Sequence, residues 1–165
     1  MARAVAREPA SSVECIEEAR TQTQRSIALG MELDSPCLVE ALPAMGKSYG
    51  VVEWAAKTQN PLTILTSRHD LYDQYGDWCD EHDLNWTTIP NSHEDCEVLS
   101  GDDQEEWRDR ILSKQNEAGL SITQIHKQSK RLFDVPLPCQ KHGTCHYIHR
   151  RETLAPSDYD VLIGH

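Results

Sequence analysis

The stretch Ala41-Leu42-Pro43-Ala44-Met45-Gly46-Lys47-Ser48 decides the fold prediction. It matches the phosphate-loop pattern G-x-x-x-x-G-K-S/T at every fixed position except the first, where Ala41 replaces glycine. The apolar run at residues 37–42 predicts a strand that leads into the loop, and residues 47–57 predict a helix that leaves it. This strand–loop–helix setting favours a phosphate-binding loop over a chance Gly-Lys-Ser turn.

The residue types in this loop have a chemical reason. A loop between a strand and a helix turns its backbone N–H groups toward phosphate oxygens, and the positive N-terminal end of the helix adds to the attraction. Gly46 would allow close approach of the backbone, Lys47 would reach the β- and γ-phosphates, and Ser48 would hold Mg²⁺. The sequence therefore predicts ATP and Mg²⁺ as cofactors, with Lys47 as the catalytic residue. The predicted nucleotide-binding residues of the loop and helix are Ala44, Met45, Gly46, Lys47, Ser48 and Tyr49.

Strands and helices alternate along most of the chain. The predicted strands after the loop are residues 62–66, 85–89 and 160–163. The predicted helices are residues 11–29, 47–57, 67–82, 101–116 and 121–133, and residues 1–10 are predicted to be a disordered arm. Strands that alternate with helices of about ten or more residues imply a parallel sheet with helices on both faces. The predicted fold class is therefore α/β, with residues 11–165 as one partial domain.

The charge composition is acidic. The 165 residues carry 27 Asp and Glu against 16 Lys and Arg, a net charge of −11. A nucleic-acid-binding protein usually has the opposite balance, because neutralising phosphates supplies much of its affinity. Lysine is scarce, and this composition resembles that of proteins from salt-loving organisms, where molar salt screens like charges. No apolar run approaches the ~18–20 residues that span a bilayer, so a cytoplasmic protein without membrane partners is expected.

Cysteine and histidine are concentrated near the C-terminal end. Residues 139–149 contain two cysteines and three histidines, and thiolate and imidazole donors at this density suit Zn²⁺. Gly143 would permit a tight turn between the ligands, and His93-x-x-Cys96 is a candidate for the remaining donors. Cys79 lies on an amphipathic helix and is interpreted as a packing residue. The alternative interpretation is a set of reduced, buried cysteines beside surface histidines.

The run from Lys127 to Arg131 is a local basic patch. It is either a phosphate contact or the solvated face of a helix, and the sequence leaves both interpretations open. His126 directly precedes the patch, and the sequence indicates no partner for it.

Three segments resemble motifs of superfamily 2 helicases. Residues Leu42–Ser48 resemble the first motif, in which a small residue often replaces the leading glycine. Residues Pro61–Gln74 are similar to the next motif, a strand followed by a Ser/Thr-Arg turn and then Leu-x-x-Gln on a helix. Residues Tyr159–His165 resemble the strand "aspartate, apolar run, Asn/Gly-His" of the iron–sulfur-type helicases. The matches span about residues 20–165.

This resemblance implies a P-loop nucleoside triphosphatase fold of the RecA type and ATP hydrolysis coupled to unwinding of DNA or RNA. It implies attack of water on the γ-phosphate, stabilised by Lys47 and the metal. It also implies contacts of the nucleic-acid backbone with the turn after the second strand and of adenine with Gln22 or Gln24. The residues implied for nucleic acid are Thr66, Ser67 and Arg68.

The resemblance also implies a metal cluster in an insertion at about residues 92–150. Iron–sulfur-type helicases hold a 4Fe–4S cluster with four cysteines between the first motif and an Asp-Glu box. Cys79, Cys96, Cys139 and Cys145 fall in this interval, and Cys145-His146-Tyr147 is similar to the family's last Cys-Pro-Tyr. The predicted metal ligands are Cys96, Cys139 and Cys145, for Zn²⁺ or an iron–sulfur cluster.

Two motor components are expected to be missing from this chain. The Asp-Glu box that would orient Mg²⁺ and a second motor domain do not occur before His165, so we expect an incomplete N-terminal part of a motor. Hydrolysis by this chain alone is not expected. The alternatives are a non-catalytic metal-stapled nucleic-acid-binding module and a degenerate helicase remnant.

Overall fold

The computed structural model describes residues 12–33, 38 and 46–165. The predicted arm at residues 1–10, the predicted strand at residues 37–42 apart from Leu38, and the loop residues Ala41–Met45 lie outside the described residues. The helices are α1 Ser12–Met31, α2 Lys47–Thr58, α3 Tyr72–Glu81, α4 Ser92–Asp95, α5 Glu97–Ser100, α6 Glu105–Ala118, α7 Ile122–Lys127, α8 Ser129–Phe133 and α9 His146–Thr153. The strands are β1 Leu62–Leu65, β2 Trp86–Thr88 and β3 Val161–Gly164. None of these helices is both long and apolar enough to cross a membrane.

Within the described residues, the three strands form one small parallel sheet in the order β1-β3-β2. The last strand in the chain is thus the central one, with Val161 opposite both Leu62 of β1 and Trp86 of β2. Val161 and Ile163 are completely buried because β3 has a neighbour on each side and helices cover the sheet. The protein is therefore a mixed helix–strand structure with a parallel sheet flanked by helices, which is compatible with the predicted α/β class.

Helices α2 and α3 pack on the sheet and form the first of two hydrophobic cores, which we call the sheet core. Its buried residues come from these two helices and the strands: Val52, Trp54, Ala55, Leu62, Ile64, Tyr72, Tyr75, Cys79, Val161 and Ile163. Gly76 lets α3 approach β2, because a Cβ atom at this position would lie 2.4 Å from Cζ2 of Trp86. The indole Nε1 of Trp86 donates a hydrogen bond to Oδ1 of Asp80 on the same helix, at 2.8 Å.

Residues 92–153, between β2 and β3, are helical and have a second core, the helical core. Its buried residues are Cys96, Val98, Leu99, Ile111, Ile122, Ile125, Phe133, Leu137, Cys145, Tyr147 and Ile148. The single helix predicted at residues 121–133 is wrong in one respect, since α7 ends at Lys127 and α8 begins at Ser129. Helix α9, in the Cys- and His-rich stretch, was not expected from the sequence.

Arg150 of α9 connects the helical segment to the sheet. Its guanidinium donates to the carbonyl and to Oγ1 of Thr88 in β2, both at 3.0 Å. The same group binds Oδ1 of Asp95 in α4 at 2.5 Å. The side chains of Arg150 and Asp95 are largely buried, at 28% and 12% exposure, so this contact fixes the orientation of α4 and α9 relative to the strand.

Candidate metal centre

Four potential metal ligands meet inside the helical core. The donor atoms of Cys96, His126, Cys139 and Cys145 all lie within 4.8 Å of one another. The Sγ atom of Cys96 is 3.9 Å from Sγ of Cys139 and 3.2 Å from Nε2 of His126. Cys96, His126 and Cys145 are at most 1% exposed, so three of the four donors are shielded from water.

The four donors lie in four different parts of the helical segment. Cys96 and Cys145 directly precede α5 and α9, and Cys96 has an extended backbone conformation. Cys139 lies in the short 3₁₀ turn Pro138–Gln140, and His126 lies in α7. Gly143 has a φ of +141°, a conformation that favours glycine, and it lets the chain turn back between Cys139 and Cys145.

The imidazole of His126 is oriented by its own helix. Its Nδ1 lies 2.8 Å from the carbonyl oxygen of Ile122, one turn earlier. Since a carbonyl oxygen only accepts hydrogen bonds, Nδ1 donates to it, and Nε2 is the ring nitrogen that could bind a metal. Nε2 faces the three sulfurs, which is the arrangement that metal-binding histidines adopt when a second partner fixes their tautomer.

The electrostatics of the centre favour thiolate at Cys145. Hydrogen bonds from the thiols of Cys139 and Cys96 lower the pKa of Cys145, and the hydrogen bond to Cys145 raises the pKa of Cys139. Burial acts to lower the pKa of His126, but hydrogen bonds with Cys145 and Cys96 outweigh burial and raise this pKa to about 10. Without a metal, Nε2 of His126 therefore carries a proton that it shares with the sulfurs, and a divalent cation would displace this proton to bind the imidazole.

A cation also accounts for the burial of these groups. Completely buried polar groups destabilise a core unless each has a partner, and a group of three thiols and an imidazole is unusual among apolar neighbours such as Ile111 and Leu137. One Zn²⁺ ion coordinated by four Cys and His donors would give every donor a strong partner. The donor set is therefore compatible with Zn²⁺.

The structure brings together the three predicted ligands Cys96, Cys139 and Cys145 and adds His126, which the sequence analysis left without a partner. A signal for His126 existed in the sequence. Ile122 and Ile125 mark the apolar face of α7, and His126 is four residues after the first, so it occupies the same buried face. A polar residue in an apolar stripe needs a buried partner.

Other residues considered as ligands lie elsewhere. His93, His142, His146 and His149 are exposed and lie outside this donor group. The His93-x-x-Cys96 alternative therefore contributes only Cys96. Cys79 is buried in the sheet core, as its interpretation as a packing residue requires.

The described part of the predicted phosphate loop begins at Gly46. This residue has a φ of +74°, which favours glycine, and directly precedes α2. Lys47 and Ser48 begin the helix and line a cavity of about 270 Å³ together with Leu62 and Ile64 of β1. Ala44 and Met45 lie outside the described residues.

Two other predicted nucleotide contacts have protein partners. Tyr49 packs against Trp78 and His82 around α3, with ring centroids 5.6 Å away in both cases. Gln24 of α1 donates from Nε2 to Oε2 of Glu53 on α2, at 3.0 Å. Both side chains therefore contribute to packing between helices.

The residues predicted to contact nucleic acid follow β1 at the carboxyl edge of the sheet. The amide of Thr66 donates to the carbonyl of Gly164, and the carbonyl of Thr66 lies 3.0 Å from Nδ1 of His165. Arg68 is exposed and forms an ion pair with Asp70. The helix start predicted at Ser67 is wrong, because Arg68 is extended, a 3₁₀ turn follows at His69–Leu71, and α3 begins at Tyr72.

No protein-family model, curated protein or solved structure matches the chain. Among the described residues, Cys96, His126, Cys139 and Cys145 form a possible metal-binding cluster.

Proposed function

We propose that this chain is the ATP-binding part of a helicase-like nucleic-acid motor and that one Zn²⁺ ion stabilises its helical segment. The observation that carries the proposal is the position of the four-donor centre. The centre lies in the segment that separates β2 from β3, where the resemblance to iron–sulfur-type helicases implies a metal-binding insertion. The metal would be bound by Cys96, His126, Cys139 and Cys145.

The spacing of the donors supports a single ion. Zn–S bonds of about 2.3 Å at tetrahedral angles place two sulfurs roughly 3.8 Å apart. Sγ of Cys96 and Sγ of Cys139 are 3.9 Å apart, and every donor is within 4.8 Å of the others. A 4Fe–4S cluster needs wider spacing, because four irons and four sulfides stand between its ligands, and it is usually held by four cysteines.

Four protein donors and deep burial support a structural ion. Catalytic zinc sites keep one position open for water or substrate, whereas structural sites are closed by four protein ligands. Here the fourth position is taken by His126, which is 1% exposed. The ion would therefore connect α5, α7, the turn at residues 138–140 and α9.

The start of α2 supports the nucleotide-binding part of the proposal. Gly46 adopts the left-handed conformation directly before the helix, and Lys47 and Ser48 lie beside β1. An N-terminal helix end attracts phosphate because its first N–H groups have no partner within the helix. Lys47 would add a cation for the β- and γ-phosphates, and Ser48 would coordinate Mg²⁺.

Metal analysis tests the zinc centre. Protein purified without air is expected to contain one Zn²⁺ per chain, and Co²⁺ exchanged into the site is expected to show the visible absorption of a tetrahedral thiolate complex.

His126→Ala should lower metal content, whereas His126→Cys should retain it because a thiolate can replace the imidazole. Cys79→Ser, outside the centre, is the matched control and should retain it. Iron with acid-labile sulfide, or no metal at all, would contradict the zinc assignment.

Nucleotide titration tests the motor assignment. Labelled ATP with Mg²⁺ is expected to bind in molar KCl, and Lys47→Ala should abolish binding because the phosphates lose their cation. Lys57→Ala removes a lysine at the other end of α2 and should bind like the parent protein. Absence of ATP binding by the parent protein would sink the nucleotide-binding proposal.

A metal-stabilised, non-catalytic nucleic-acid-binding module is the second candidate. The observation that favours it is the separate hydrophobic core of residues 92–153, which is built around the donor centre and not around the sheet. This candidate predicts one Zn²⁺ and binding of an oligonucleotide in a protein that does not bind ATP.

A further inference from the structure

A groove of about 630 Å³ lies on the surface of the helical segment, next to the donor centre. Its walls come from the end of α7, from α8 and from α9, and its volume is in the range of ~300–1,000 Å³ that ligand-binding clefts occupy. The charged residues that line it are Lys127, Lys130, Arg131 and Glu152. Three cations and one carboxylate give the groove a positive charge on a chain whose net charge is −11.

Two of these cations are available for a ligand. Lys127 binds Oε1 of Glu152 at 2.8 Å, and this pair joins α7 to α9 across the groove. Lys130 and Arg131 are exposed, and neither forms an ion pair with a carboxylate of the described residues. They lie on consecutive positions of α8 and supply an ammonium and a planar guanidinium, which binds phosphate with two parallel hydrogen bonds.

The floor of the groove is fixed by hydrogen bonds. Oγ of buried Ser129 donates to Oε1 of Gln140 at 2.8 Å, and Nε2 of Gln140 donates to the backbone carbonyl of His126 at 3.0 Å. Gln140 follows the ligand Cys139, and His126 is itself a donor of the centre. The backbone that carries Lys130 and Arg131 is therefore held in place by the same residues that would hold the metal.

We propose that this groove binds the phosphate backbone of single-stranded nucleic acid, with Lys130 and Arg131 as its phosphate contacts. The inference rests on the proposed function, which supplies the kind of polymer, and adds a binding surface outside the sheet edge at Thr66, Ser67 and Arg68. A strand in the groove would neutralise two otherwise unpaired cations. The acidic remainder of the surface would repel the polymer from other sites.

The experiment measures binding of a fluorescein-labelled 20-nucleotide oligo-dT to the zinc-loaded chain by anisotropy, over a series of salt concentrations. The double variant Lys130→Ala/Arg131→Ala should bind roughly tenfold more weakly at low salt, and its salt slope should fall by about 1.4, the value for two phosphate contacts on a single strand. The matched control Lys57→Ala/Lys114→Ala also removes two positive charges, from α2 and α6, and should stay within about twofold of the parent protein because neither residue lines the groove. The charge-preserving pair Lys130→Arg/Arg131→Lys should retain binding.

Three results would overturn the proposal: no binding of oligo-dT by the parent protein, equal losses in the groove and control variants, or full binding by the groove variant. A competition experiment with poly-glutamate of equal charge gives a further test. If poly-glutamate displaces the labelled oligonucleotide as effectively as unlabelled oligo-dT does, the proposal is overturned in favour of an acidic protein partner. Zinc content measured for every variant shows whether the helical core remains folded. ATP titration of the groove variant separates the two proposals, since loss of oligo-dT binding with normal ATP binding concerns the groove alone.

Discussion

The two hydrophobic cores of the molecule use buried cysteine in opposite ways. Cys79 in the sheet core is surrounded by apolar side chains, and burial together with the nearby carboxylate of Asp80 raises the pKa of its thiol to about 11. In the helical core, Cys96 and Cys145 are equally buried, but they face another thiol and an imidazole. Cys79 therefore acts as a small apolar residue, whereas the cysteines of the helical core form a polar centre that is compatible with a metal ion.

The difference concerns what stabilises each region. The sheet core combines apolar burial with a ladder of parallel backbone hydrogen bonds between β1, β3 and β2. Of the six helices in the helical segment, four have six residues or fewer, and helices of this length are unstable on their own. We infer that the helical segment depends on the metal and that the sheet does not.

Metal removal is expected to have the largest effect and to fall on one region. A structural Zn²⁺ contributes on the order of 10–16 kcal/mol in small zinc-dependent folds, so chelation or Cys145→Ser should unfold residues 92–153. Hydrogen exchange followed by mass spectrometry should show loss of protection in α7 and α9, while β1 and β3 remain protected.

Cys79→Ser is the matched control for Cys145→Ser, because it replaces a buried thiol outside the centre. It is expected to leave exchange in α7 and α9 unchanged. Simultaneous loss of protection in β3 and α7 on chelation would show that both cores unfold as one cooperative unit, and the distinction between them would fail.

The contact between Asp95, Arg150 and Thr88 is expected to have the next largest effect. Arg150→Ala would leave the carboxylate of Asp95, 12% exposed, without its cation, and it would also remove two hydrogen bonds to Thr88. We expect a loss of about 2–4 kcal/mol in the free energy of unfolding, measured by urea denaturation. A double-mutant cycle with Asp95→Asn would separate the ion pair from the contacts with the strand.

A more exposed ion pair provides the comparison for this prediction. Lys127 and Glu152 also connect α7 to α9, but their side chains are 53% and 51% exposed. Lys127→Ala should therefore cost less than about 1 kcal/mol. Equal losses for Arg150→Ala and Lys127→Ala would show that burial does not distinguish the two contacts.

The sheet region was largely predictable from the sequence, because its elements follow local patterns. The apolar runs at residues 62–66, 85–89 and 160–163 correspond to β1, β2 and β3, with boundaries that differ by at most one residue. Their order in the sheet was not predictable in detail, since β3 reaches its central place from more than 70 residues after β2. Local periodicity does not contain such long-range pairing.

The helical region was less predictable because its structure follows from contacts between distant residues. The Cys- and His-rich stretch and the helicase resemblance indicated Cys96, Cys139 and Cys145. The apolar face of α7 indicated that His126 is buried, but local patterns did not show that its partners are these cysteines. The break at Gln128 was also missed, since no glycine or proline marks it. Both features depend on how short helices pack around the centre.

Gly76→Ala tests the close packing of the sheet region and is expected to have a moderate effect. A methyl group at this position would overlap the Trp86 indole, at 2.4 Å from Cζ2. Alanine favours a helix by about 1 kcal/mol over glycine, but overpacking costs about 1–3 kcal/mol, so a net loss of up to about 2 kcal/mol is expected in urea denaturation. Trp86→Phe should relieve the overlap, and a double variant as unstable as the sum of the single variants would contradict this explanation.

The last expected effect is a pH dependence of stability that arises from Cys79. Its pKa is raised from an ordinary value of about 8.5–9 in the unfolded chain to about 11 in the folded protein. A group whose pKa is raised by folding stabilises the folded state below its unfolded pKa, and this contribution is lost as pH rises through the folded value.

The parent protein should therefore lose about 1–2 kcal/mol more than Cys79→Ala between pH 8 and pH 11, in urea denaturation curves measured at both values. Both proteins contain the other cysteines, so the titration of these groups cancels when the free energies of unfolding of parent and variant are subtracted. Parallel pH profiles for the two proteins would mean that the Cys79 thiolate is solvated in the folded state. The sheet core would then not be the dry environment that distinguishes it from the helical core.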